Sequence, residues 1–121
     1  MTGIVVTTEN EIRTQDFGEP LLKTVGAAVG GYIEVVHPQM LPRPYCMIVN
    51  EEGLTYDLPI NAAGSVLYGT PEHGQPIVGN IVIMKIGNTP DGPDIIGLDE
   101  RETEAFYNQL LNVFDLKGET E

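Results

Sequence analysis

The sequence predicts an α+β fold, a small and mostly antiparallel sheet with about three helices. Three observations predict it. Ile77–Ile86, IVGNIVIMKI, is a long apolar run of the kind that fills the middle of a sheet. Glu19–Val29, and the stretch from Asp99 to near Leu116, instead place apolar residues at helical spacing. Shorter β-branched runs lie between clusters of Gly, Pro, Asn and Asp, as strands lie between turns. At 121 residues the chain can bury one core, and it reads as a single domain with a frayed tail at 117–121.

In chain order, Gly3–Thr8 (GIVVTT) predicts a strand and the polar Glu9–Gly18 a loop. Glu19–Val29 predicts a helix. Pro20 suits its first position, Leu21, Leu22, Val25, Ala28 and Val29 share a face, and Gly30–Gly31 stops it. Tyr32–His37 predicts a strand with Tyr32, Glu34 and Val36 on one side, and Glu34 marks that side as partly open. Pro38, Pro42 and Pro44 stiffen the next loop and exclude a central strand there. Tyr45–Val49 predicts a strand joined by an Asn50–Gly53 hairpin turn to a partner at Leu54–Asp57.

A short helix follows Pro59, with the small residues Asn61, Ala62, Ala63, Gly64 and Ser65 on its first turns. Thr70–Pro76, which carries His73, reads as a polar loop. Within the apolar strand, Gly79 marks a bulge or a close backbone approach. Gly87–Pro93 is a turn cluster and Asp94–Gly97 a short edge strand. Asp99, with Glu102 three residues on, predicts an N-cap and capping box. Phe106, Leu110, Val113 and Phe114 then form the buried stripe of the last helix.

Eighteen acidic residues against six basic ones give a net charge of −12 and a pI near 4.3. A field of that sign repels nucleic acid and anionic membranes, suits basic partners, and keeps a small protein soluble. No apolar run approaches the roughly 20 residues that span a bilayer. The start, MTGIVVTTENE, has no basic region of the signal-peptide kind. Cys46 is the only cysteine, so no internal disulfide forms, and a cytoplasmic chain is expected.

No catalytic site, metal site or cofactor is expected. His37 and His73 are far apart, with no carboxylate at a ligand spacing from either. Cys46 lies mid-strand among apolar residues, a setting that leaves thiols inert. Ser65 sits in AAGSVLYG, which is not a nucleophile elbow. Binding remains. The helix start at Asn61 offers free N–H groups and a positive dipole end to an anion, with Ser65 one turn on. Arg43 on the proline loop adds a fork for phosphate, and Tyr45, Tyr56 and Tyr68 offer stacking faces for a base. These six residues are the candidate site for a small nucleotide-like ligand. The competing use of the small residues is close packing of helix on sheet. Edge strands at Gly3–Thr8 or Asp94–Gly97 can pair across a homo-oligomer.

VGGYIEVV (Val29–Val36), VNEEG (Val49–Gly53), LPINAA (Leu58–Ala63), LYG (Leu67–Gly69) and IVGNIVI (Ile77–Ile83) follow one another in an order that carries a resemblance. Over about residues 20–100 the chain resembles a family of small proteins from bacteriophages, actinobacteria and mobile elements, catalogued as a domain of unknown function. It departs from that pattern in its long loop PQMLPRP. The resemblance implies a setting in which small acidic proteins counter host defence. One route is sequestration of a nucleotide immune signal without catalysis, often by an oligomer, and it is the first expectation. The other is mimicry, in which an acidic surface occupies the DNA site of a host enzyme. Half of the acids fall within Asp91–Glu121, concentrated but not in a dense stripe.

Overall fold

The computed structural model describes residues 1–118, and the side chains at positions 71 and 73 lie outside that description. Most of the tail expected to fray is thus outside it as well. Six antiparallel strands form one sheet: β1 (Thr2–Val6), β2 (Ile12–Asp16), β3 (Ile33–Val36), β4 (Tyr45–Asn50), β5 (Ile81–Thr89) and β6 (Gly92–Ile96). Their order is β2-β1-β5-β4-β3, and β6 pairs with β5 beyond the point where β1 leaves it. Helices α1 (Leu21–Val29), α2 (Ala62–Tyr68) and α4 (Glu100–Val113) pack around the sheet, with a single turn, α3 (Thr70–His73), after α2. This is the small α+β fold that the periodicities predict.

The middle strands are apolar on both sides because both faces of the sheet are covered. Ile4, Val6, Met47, Val49, Ile81 and Ile83 point to the α2 and α4 face, where they meet Ala63, Leu67 and Leu110. Val5, Cys46, Ile48, Val82 and Met84 point to the other face, where Val25 and Val29 of α1 cover them. Each such side chain, fully buried, contributes about 1.5–3 kcal/mol. Cys46 is buried here, and burial lifts its thiol pKa to about 11 against a smaller lowering by a hydrogen bond with the Met84 backbone.

α1 ends at Gly30 in the left-handed conformation, as the glycine pair predicts. Leu22, expected on the apolar face, is 71% exposed instead. Gly26 sits where the chain folds back: a Cβ there would lie 2.9 Å from the Gly31 carbonyl oxygen. Gly26→Ala is therefore expected to destabilise by about 1–2 kcal/mol, although alanine is the better helix former. Urea unfolding of the variant checks it, and an unchanged or raised midpoint would show that the backbone gives way freely.

The structure corrects several local expectations. The polar stretch Glu9–Gly18 contains β2, since Ile12 is buried and Ile12–Asp16 pairs with β1 throughout. Leu54–Asp57 is not a strand: residues 51–57 form consecutive turns, and β4 pairs with β3 and β5 instead. Thr70–His73 is helical where a loop is expected, and the side chain of His73 lies outside the described residues. The central strand starts at Ile81, not Ile77, because Gly79 turns the chain at φ +79°. Val113 is 61% exposed and leaves the buried stripe of α4 to Leu110, Phe106 and Phe114.

Lys117 does not fray. Its N–H donates to the Asn10 carbonyl, and its carbonyl accepts from the Ile12 N–H. That parallel bridge covers the start of the β2 edge. No helix among the described residues is long and apolar enough to cross a membrane.

Candidate functional site

The helix start singled out by the sequence is a structural bracket. Asn61 is 0% exposed and N-caps α2, its Oδ1 accepting the Gly64 N–H at 2.9 Å. Its Nδ2 donates to the Val6 carbonyl at 2.9 Å and to the Gly79 carbonyl at 3.0 Å. One side chain thereby ties α2 to β1 and to the turn before β5. Ser65 does the same one turn later: its hydroxyl accepts the Ile77 N–H at 3.0 Å and donates to the Ile77 carbonyl at 3.3 Å. The small residues serve this approach. A Cβ on Gly64 would lie 3.1 Å from Ile77 Cγ2, and Ala63 is buried against the sheet. Both donors of the Asn61 amide are used within the fold, and α2 is only seven residues long. Of the N–H groups that would seat an anion there, that of Gly64 is taken by the Asn61 side chain, whose own amide donors go to backbone carbonyls.

The other four candidates are dispersed. Arg43 is exposed on the proline loop, whose Met40 N–H donates to the Leu67 carbonyl near the end of α2. Tyr56 is 65% exposed on the turns after β4. Tyr45 lies under α4, packed edge-to-face on Phe106 with ring centroids 4.6 Å apart. Its hydroxyl donates to Glu102 Oε2 at 2.5 Å, and Lys85 Nζ donates to Glu102 Oε1 at 2.7 Å. Glu102 also closes the capping box on the Asp99 N–H, as its spacing predicts.

Partial burial of Glu102 pushes its carboxyl pKa up. The Asp99 N–H, the Lys85 ammonium and the Tyr45 hydroxyl outweigh that and hold it at about 2. The same hydrogen bond, more than burial or the charges of Glu102 and Asp99, raises the Tyr45 pKa. The cluster anchors α4 to β4 and β5, and each polar group in it is already engaged.

Tyr68, another of the six, lines a cleft. This cleft, of about 150 Å³, opens between β3, the end of β4 with the turn after it, Tyr68 of α2 and residues 75–78. Val36, Val49 and Ile77 give it an apolar floor, and Glu34, Glu51 and Tyr68 line its sides. The Tyr32–Glu34–Val36 side of β3 is thus partly open, as Glu34 in that alternation predicts. Among the described lining residues there is no lysine, arginine or histidine. Two carboxylates beside a phenol suit a cationic group and repel a phosphate. The volume is well below the roughly 300 Å³ at which drug-sized pockets begin. Glu34 and Glu51 are not among the residues that the sequence singles out. The partly open strand face is the available signal for Glu34; Glu51, in what reads as a hairpin turn, carries none.

A second, apolar cleft of about 100 Å³ lies between the proline loop, α2 and α4, lined by Met40, Leu67, Phe106 and Phe114, and takes none of the six candidates. Among the described residues, no three His, Cys, Asp or Glu side chains are grouped as a metal ion requires.

A family model described as a domain of unknown function, DUF3846, matches residues 1–111. No curated protein and no solved structure matches the chain.

Proposed function

The chain belongs to the DUF3846 family, and from that premise and its surface chemistry we propose that it is a non-catalytic protein that binds a basic surface on another protein. The observation that carries this reading is the state of its carboxylates. Among the described residues only Asp16 and Glu102 take part in ion pairs, with the N-terminal ammonium and with Lys85. Apart from Glu52 and Glu102, the described acidic side chains are exposed. Their field is therefore directed outward, where it steers and orients a positively charged partner.

In the counter-defence setting that the resemblance implies, the partner is a host nucleic-acid-binding protein, whose basic face the acidic chain covers. Nucleotide capture, the first expectation from the sequence, draws less support. Asn61 and Ser65 are committed to the backbone, Tyr45 to Glu102, and the cleft at Tyr68 is acidic.

Affinity purification from host extract at low and high salt, followed by titration with the purified partner, tests the proposal. A partner with a basic face should be held at low salt and released as the Debye length falls from about 10 Å at 0.1 M towards 3 Å at 1 M. It should also lose its nucleic acid as the chain is added. Retention that does not respond to salt would overturn the reading. So would a thermal shift with cyclic or linear nucleotides, which would return the function to nucleotide capture.

A further inference from the structure

β3 carries an unused backbone edge. The Tyr32 carbonyl accepts the Glu51 N–H at 2.8 Å, and the register sets Glu34 opposite Val49 and Val36 opposite Met47. Hydrogen-bonded pairs alternate along an antiparallel ladder. Glu34 and Val36 therefore turn their N–H and C=O groups toward β4, while Ile33 and Val35 turn theirs outward. Among the described residues nothing bonds to those outward groups. The opposite edge differs, since Lys117 lies along the start of β2.

The acidic cleft adjoins this bare edge on the α2 side of the sheet. Glu34 belongs to both, and Glu51 and Tyr68 line the cleft with it, beside the apolar Val36, Val49 and Ile77. The side chains of Glu34 and Glu51 are exposed and hold no hydrogen bond or ion pair among the described residues. A bare edge attracts any strand, and the side chains beside it decide which one stays. Here they are two carboxylates. A second copy of this chain, with its net charge of −12, meets like charge, whereas a basic strand meets opposite charge.

We propose that β3 and this cleft form a docking surface for an extended basic segment of a partner protein. The segment adds to β3 as a further strand. A lysine or arginine side chain enters the cleft between Glu34 and Glu51, beside the Tyr68 ring. Ile33 and Val35 supply the ladder, which is blind to sequence, and the carboxylates supply the preference for a cation. The assignment rests on the acidic-surface reading above and places it on one part of the molecule.

The test is a titration of the isotope-labelled full chain with a short capped peptide alternating lysine and valine, followed by amide shifts. Shifts should concentrate at Ile33, Val35, Glu51 and Tyr68, with slowed solvent exchange of the Ile33 and Val35 amides. The double variant Glu34→Lys/Glu51→Lys should bind about 10-fold more weakly or worse. Glu9→Lys/Glu104→Lys makes the same charge change at exposed positions away from the cleft, and should weaken binding by less than about 3-fold. A peptide of equal charge with proline in place of valine cannot complete the ladder and should bind more weakly.

Equal weakening in the two double variants, shifts spread over the whole surface, or no loss with the proline peptide would each overturn the docking site. None of these touches the salt-sensitive partner on which the parent reading stands or falls.

Discussion

Asn61→Ala is expected to destabilise the protein by about 3–5 kcal/mol, enough to unfold much of a marginal domain. The size follows from what the amide holds. Three buried backbone groups lose a partner together: the carbonyls of Val6 and Gly79 and the N–H of Gly64. Each buried group left without a bond costs about 1–3 kcal/mol. Loss of an N-cap alone costs only about 1 kcal/mol, so the excess measures the two bonds made outside the helix. Asn61→Asp separates the contributions. It keeps the cap acceptor but turns a carboxylate oxygen toward two carbonyls in a fully buried site, so it should be at least as damaging at neutral pH. Equilibrium urea unfolding of both variants is the measurement. If Asn61→Ala stays within about 1 kcal/mol of the wild type, the bracket is not what holds α2 to the sheet.

Glu102→Ala is expected to cost about 2–4 kcal/mol, since it removes half of a capping box and the acceptor of both Lys85 and Tyr45. The Lys85 ammonium, largely shielded from solvent, is then left without its partner. The carboxyl also predicts a pH dependence. Its pKa is about 2 in the fold against an ordinary 4.5, so the folded state favours the ionised form. That contribution is complete above about pH 4.5 and is lost as pH falls from there towards 2. Glu102→Gln keeps an acceptor oxygen but no charge. Its deficit against the wild type, about 1–2 kcal/mol at neutral pH, should shrink across that window and vanish near pH 2. Urea midpoints of both proteins between pH 7 and 2 provide the test. A deficit that stays constant with pH would remove the charge from the account.

The two positions differ in how far their roles could be read from sequence. Asp99 and Glu102 lie three residues apart, and the spacing predicts the capping box that forms. Nothing local announces that Glu102 also meets Tyr45, 57 residues away along the chain. Asn61 before small residues signals a helix start, and the chain starts a helix there. The same local pattern serves an anion seat or a buried cap. The choice is made by Val6, 55 residues earlier, whose carbonyl takes the amide that a ligand would have met.

From the sequence alone came the fold class, a helix ending at Val29 with its Gly30 C-cap, a last helix opened by the Asp99–Glu102 capping box, the apolar middle strand and the partly open side of β3. All of these follow from periodicity and capping, which act over a few neighbouring residues. The tertiary structure decided that polar Ile12–Asp16 is a strand, that Leu54–Asp57 is not, and that the small-residue helix is anchored from within. It also placed the carboxylates of Glu34 and Glu51 at a cleft beside an unpaired edge. Those outcomes depend on which segments pair and which polar groups are buried together. Such contacts join distant parts of the chain, and local patterning does not record them.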